Sequence, residues 1–179
     1  MPISIVGDGT ITSSTNKITS NNSKFVFSGD EIQIVYAQEQ SGSSHITVTS
    51  TSETTLPLTC SIKPTSTTSK IKVMWYSNMG YGGASGAGGI RLLLYRSTDG
   101  GSTYTNLIPN TNSYPPGPYY SWTYFQNTWS PYSTIYFDTP GTTNTVTYQL
   151  RYRNGDSTAT NYLVHQSGQY YGWILSEIG

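Results

Sequence analysis

Apolar residues in this chain alternate with polar ones over short windows, and nowhere do they recur at the spacing of a helix. Leu56, Leu58, Cys60 and Ile62 fall on one side of an extended segment, and Ile71, Val73 and Trp75 do the same one segment later. His45 to Ser50 also alternates. Further strand-like stretches follow at Gly89–Arg96, Thr103–Ile108, Tyr132–Phe137, Thr145–Arg153, Thr158–His165 and Tyr171–Ile178. Thr, Ser, Tyr, Gly and Asn dominate, while strong helix formers are few, so local preference agrees with the periodicity. About eight strands separated by turns imply an all-β fold, a two-sheet sandwich or jelly roll. Aromatics at 13% and recurring apolar clusters exclude a disordered chain.

Ahead of this region the text is thinner. From Met1 to about Gln40 it consists of brief apolar pulses, such as Ile3 with Ile5, Phe25-Val26-Phe27, and Ile32 to Tyr36. Between them lie Gly7-Asp8-Gly9, Asn21-Asn22 and Ser28-Gly29-Asp30, whose residues favour turns. Residues 1–40 are therefore expected to form a β-arm that leans on another chain or a partner surface. Gln38 to Ser44 reads as the polar link to a head domain over 41–179. Two interruptions stand out within the head. Asn78 to Gly89 is nearly all Gly, Ala and Ser, suited to a flexible loop or to close backbone approach at a symmetry axis. Asn110 to Pro131 gathers Tyr114, Tyr119, Tyr120, Trp122, Tyr124, Phe125 and Trp129 beside prolines. Those rings can close the end of the sandwich, bury against a neighbouring subunit, or stack on a sugar. For the last role Trp122, Tyr124 and Trp129 are the candidates, with the amides of Gln126 and Asn127 nearby.

Charge narrows the partners. Charged residues make up 10% of the chain and the formal net charge is +0, so no field draws in nucleic acid or an acidic membrane. No apolar run approaches the roughly 20 residues of a membrane-spanning helix, and no signal-peptide pattern opens the sequence. Neither membrane insertion nor classical secretion is expected. Cys60 is the one cysteine, which excludes an intramolecular disulfide and fits assembly in a reducing cytoplasm. Its place among Leu56, Leu58 and Ile62 predicts a core position.

Catalytic patterns are not apparent. Only His45 and His165 offer an imidazole base, and Ser85 in Gly83-Ala84-Ser85-Gly86-Ala87 lacks the glycine spacing of a nucleophile elbow. His165 on a trimer axis is a conceivable metal ligand, but a hydrogen-bonded surface or interface role is the plainer reading. No phosphate loop, clustered metal ligands or dinucleotide fingerprint is present, so no cofactor and no metal are expected. Asp138 and Glu177 read as turn and strand-end residues. As a carboxylate pair they would be the starting point for a third reading, a polysaccharide depolymerase.

The order of motifs in the C-terminal half resembles that of tailed-bacteriophage virion structural and tail-fibre proteins of the cyanophage type. The resemblance rests on Ile135-Tyr136-Phe137-Asp138-Thr139-Pro140, then Thr142-Thr143-Asn144-Thr145-Val146-Thr147-Tyr148, Asn161, and the closing Trp173-Ile174-Leu175-Ser176-Glu177-Ile178. Leu56-x-Leu58, Lys63-Pro64 and Ser69-Lys70-Ile71-Lys72-Val73 extend it towards His45. The aromatic insertion and the first forty residues fall outside the match. It implies a homotrimeric jelly-roll head akin to that of tumour necrosis factor, on the exterior of a virion released by cell lysis. Two roles follow as expectations. One is a fibre or receptor-binding head that meets host surface polysaccharide; the other is a capsid decoration protein whose residues 1–40 grip other virion proteins. The shortness of the chain and the lack of a coiled-coil shaft favour a small appendage in either case.

Overall fold

The computed structural model describes residues 4–5, 11–12, 31–40, 42, 46–48, 50–81, 90–108, 120–121, 129–154, 162–164 and 168–179. Its strands are β1 (Ser4–Ile5), β2 (Ile11–Thr12), β3 (Glu31–Gln40), β4 (Ile46–Val48), β5 (Thr54–Ile62), β6 (Lys70–Tyr81) and β7 (Ile90–Ser97). They continue with β8 (Thr105–Asn106), β9 (Tyr120–Ser121), β10 (Trp129–Asp138), β11 (Val146–Asn154), β12 (Tyr162–Val164) and β13 (Tyr170–Ile178). The described residues contain no helix. Apart from the small β1–β2 pair, the strands form two antiparallel sheets. The larger runs β3-β13-β6 with β10 on the far side of β6, and β12 and β4 continue it beyond the end of β13. The smaller runs β5-β11-β7, with β8 and β9 pairing β7. The chain passes repeatedly from one sheet to the other, β3 to β5 to β6 to β7 and later β10 to β11 to β13. This is the connectivity of a jelly roll.

Alternation decides the core. Leu56, Cys60 and Ile62 of β5 and Ile71, Val73 and Trp75 of β6 are buried, as their spacing predicts. They meet Leu92, Leu94, Val146, Tyr148, Leu150, Trp173 and Leu175 in one cluster between the sheets. Leu58 is only partly buried because β5 and β11 shift register there: Gln149 pairs with Thr59 and Arg151 with Thr55. The irregularity is used. It presents the Leu58 carbonyl to the other sheet, where Trp173 Nε1 donates to it at 3.0 Å. A second tie joins the sheets at Asp138, the last residue of β10, only 5% exposed. Arg96 donates to its carboxylate at 2.8 and 3.1 Å, and the Tyr148 hydroxyl at 2.7 Å. Burial, then the charge and hydrogen bond of Asp138, push the Tyr148 phenol far above its ordinary range.

Several sequence expectations change position. Glu31–Gln40, expected as the end of an arm, is a full strand paired along β13 from Gln40↔Tyr170 to Glu31↔Ile178. The Gly-rich interruption begins later than Asn78, since β6 continues to Tyr81. The aromatic interruption is likewise shorter, because Tyr120–Ser121 pairs with β7 and Trp129–Pro131 belongs to β10. Thr103–Ile108 keeps only Thr105–Asn106 as strand. Before it, Gly100 and Gly101 take φ of 75° and 90°, which the turn out of β7 requires and side chains resist. Asp99 organises that turn, accepting from the Thr103 amide at 3.0 Å and from Ser97 Oγ at 2.7 Å.

Candidate functional site

Directly opposed residues in an antiparallel pair share a face, so register maps the outer surface of the larger sheet. Tyr36, Ile174, Met74 and Ile135 form one row across β3, β13, β6 and β10. Ile34, Ser176, Lys72 and Phe137 form the next. Tyr36 is 77% exposed, Phe137 61%, Ile34 58% and Ile135 49%. The inner positions of β10 are instead Tyr132, Thr134, Tyr136 and Asp138, so this strand turns Ile135 and Phe137 outward and hydroxyl groups and a carboxylate inward. Lys72 of the second row is ion-paired with Glu31, which lies one row further along β3.

Towards the other end of the sheet the chemistry shifts. The third row is Gln38, Gly172, Tyr76 and Ser133, and beyond it Asn78 pairs with Pro131. Here lies an open cleft of about 370 Å3, lined by Tyr76, Asn78, Pro131, Tyr132, Ser133 and Tyr170. Gly172 shapes its flank. A Cβ there would come 2.3 Å from the Ala37 carbonyl oxygen and 2.9 Å from the Tyr76 hydroxyl, so a side chain is excluded and Tyr76 lies across β13. The ring of Tyr132 is fixed beneath against Trp75, with centroids 6.0 Å apart and planes at 58°. Burial pushes the Tyr132 phenol up to about 12.

Other candidates are placed as follows. Trp129 opens β10, its backbone opposite Gly80. Trp122 and Tyr124 lie outside the described residues, as do His45, His165 and Ser85. The proposed ring trio is therefore not brought together by anything described. Glu177 is fully buried near the end of β13. Its carboxylate accepts from the Thr65 amide and hydroxyl, each at 2.7 Å, and from Gln33 Nε2 at 2.6 Å. Burial alone would raise its pKa, but hydrogen bonds from Ser69, Thr65 and Gln33 outweigh that and hold it below the ordinary value. Asp138 and Glu177 thus each have a complete set of structural partners. Among the described residues no group of three or more His, Cys, Asp or Glu gathers as a metal site.

Sequence reasoning missed the outer rows and the cleft. The available signal was that Ile34 with Tyr36 and Ile135 with Phe137 alternate against inward residues of the same strands, which gives two occupied faces where one suffices for a sandwich.

No protein-family model matches the chain. No curated protein matches it either. Among solved structures, infectious bursal disease virus of the Gx strain is 7% identical with a TM-score of 0.46, covering 90% of this chain and 36% of that one. A point mutant of the VP2 protein of infectious bursal disease virus, in derived T=1 particles, is 9% identical with a TM-score of 0.46, covering 91% and 41%. The Gt strain gives 9% identity and a TM-score of 0.37, covering 99% and 38%. The chain therefore spans well under half the length of these proteins. Likenesses this low carry no argument about what the chain does.

Proposed function

We propose that this chain is a non-enzymatic structural protein of a bacteriophage particle, assembling as a homotrimer whose sandwich head meets the host cell surface. The observation that carries the assembly reading is the pair of outward apolar rows. Ile34, Tyr36, Ile135 and Phe137 together leave uncovered the equivalent of about two and a half whole side chains, roughly 500 Å2 at about 200 Å2 each. Monomers rarely leave more than a few hundred Å2 of apolar surface contiguous, and a stable interface buries about 800 Å2 per partner. The half-buried Met74 and Ile174 between those residues make up part of the difference. A second copy is the occupant that fits, because the exposed side chains of the two rows are apolar and Lys72 among them is ion-paired with Glu31. Contacts to other particle proteins are assigned to residues 1–40, through the part that precedes β3. The phage setting rests on the motif order in the C-terminal half.

Electron cryomicroscopy of the particle tests the whole reading. Three-fold density for the head on the tail is expected. Density over the shell lattice would replace attachment with decoration, and absence of the protein from purified particles would end the virion reading.

A further inference from the structure

We infer that the cleft between β6, β10 and the start of β13 is a binding site for an uncharged saccharide. This deepens the attachment reading and rests on it. Its volume, about 370 Å3, falls within the roughly 300–1,000 Å3 of small-ligand pockets. Among the described residues that line it there is no carboxylate, ammonium, guanidinium or imidazole, so none of them selects a charged ligand. What it does contain is the chemistry of sugar recognition. Tyr76 and Tyr170 supply aromatic faces for the C–H side of a pyranose ring, and Tyr170 is 56% exposed. Asn78, Ser133 and the two phenols supply donors and acceptors for hydroxyl groups.

Two features favour a site over a dimple. The side-chain polar atoms of Tyr76, Asn78, Ser133 and Tyr170 have no hydrogen-bond partner among the described residues, so none of those residues competes with a ligand for them. The floor is rigid: β6 and β10 pair without a break from Asp138↔Ile71 to Trp129↔Gly80, and Tyr132 is fixed against Trp75. Preorganised groups lose little entropy on binding. The cleft also differs from the apolar rows beside it. Those rows expose apolar side chains and suit a subunit contact, whereas hydroxyls and a carboxamide around exposed rings suit a hydrated ligand.

Saturation-transfer NMR of the full chain with maltohexaose, cellohexaose, chitohexaose and mannohexaose tests the inference. Saturable binding of at least one is expected, weakened at least tenfold by Tyr170→Ala and by Asn78→Ala and retained by Tyr170→Phe. Ser133→Arg, which fills the cleft, should abolish it. Thermal unfolding and light-scattering mass should stay at wild-type values in every variant. No binding of any of the four sugars, or binding indifferent to Tyr170→Ala and Ser133→Arg, would overturn the assignment. So would loss of binding through Trp122→Ala alone, which would move recognition to the aromatic segment. A changed mass in the Tyr170 or Asn78 variants would make the cleft part of a subunit contact instead. A negative sugar result leaves the homotrimer standing, because mass is read independently.

Discussion

Replacing Glu177 with glutamine removes one charge and no heavy atoms from a fully buried position. The glutamate joins β13 to the 63–69 crossover between the sheets and to Gln33 of β3. Two of its bonds come from Thr65 at 2.7 Å and one from Gln33 Nε2 at 2.6 Å. Gln33 Nε2 also donates to the Lys63 carbonyl at 2.6 Å, so the Gln33 amide cannot turn round without forfeiting that bond. In Glu177→Gln the new carboxamide keeps its oxygen on Thr65 and sets its NH2 against that of Gln33. Two charge-assisted bonds become neutral and one is lost, each change costing about 1 kcal/mol, or roughly 3 kcal/mol together. For a chain of this size that lowers the melting temperature by roughly 6–12 °C. The pH dependence has a defined sign. The folded carboxyl lies below its ordinary 4.5, so its contribution is complete above that value and is lost as pH falls through the folded pKa. Calorimetry from neutral to acid pH should show the wild-type advantage over Glu177→Gln constant near neutrality and shrinking below about 4.5. A variant that melts within 1–2 °C of wild type at neutral pH, or a gap that widens in acid, would refute the reasoning.

Other substitutions probe the remaining ties. Asp138→Ala leaves Arg96 and the Tyr148 hydroxyl without their shared acceptor between the sheets, and should cost about 3 kcal/mol by urea denaturation. Cys60 is buried, and burial pushes its thiol up to about 11. It should react with a thiol reagent only as fast as the protein opens, while Cys60→Ala costs about 1 kcal/mol. Gly172→Ala forces a methyl group against the Ala37 carbonyl, so about 2–3 kcal/mol should be lost, with hydrogen exchange accelerated along β3.

The strands of the two sheets were largely legible from alternation, and Cys60 could be placed because Leu56 and Ile62 share its parity. Less legible was which side of a strand faces the core. In β10 the buried positions are Thr134 and Asp138, a polar choice that becomes sensible only once Arg96 and Tyr148 arrive from the other sheet. Periodicity sees the alternation but carries no knowledge of those distant partners. Gln38–Gln40 reads as a linker because an edge strand can be polar on its exposed positions and still pair through its backbone. The cleft was hidden for a related reason. Its residues come from three strands, and Asn78 and Pro131 sit within segments whose composition resembles loops.

Self-association through the outer apolar rows is tested most directly by multi-angle light scattering of the wild type beside a Tyr36→Asp, Phe137→Asp double variant. The wild type should elute at three times the chain mass of 19.6 kDa, and the variant as a folded monomer of that mass. Wild-type protein that is monomeric across the accessible concentration range, or a double variant that stays trimeric, would contradict assembly through this face.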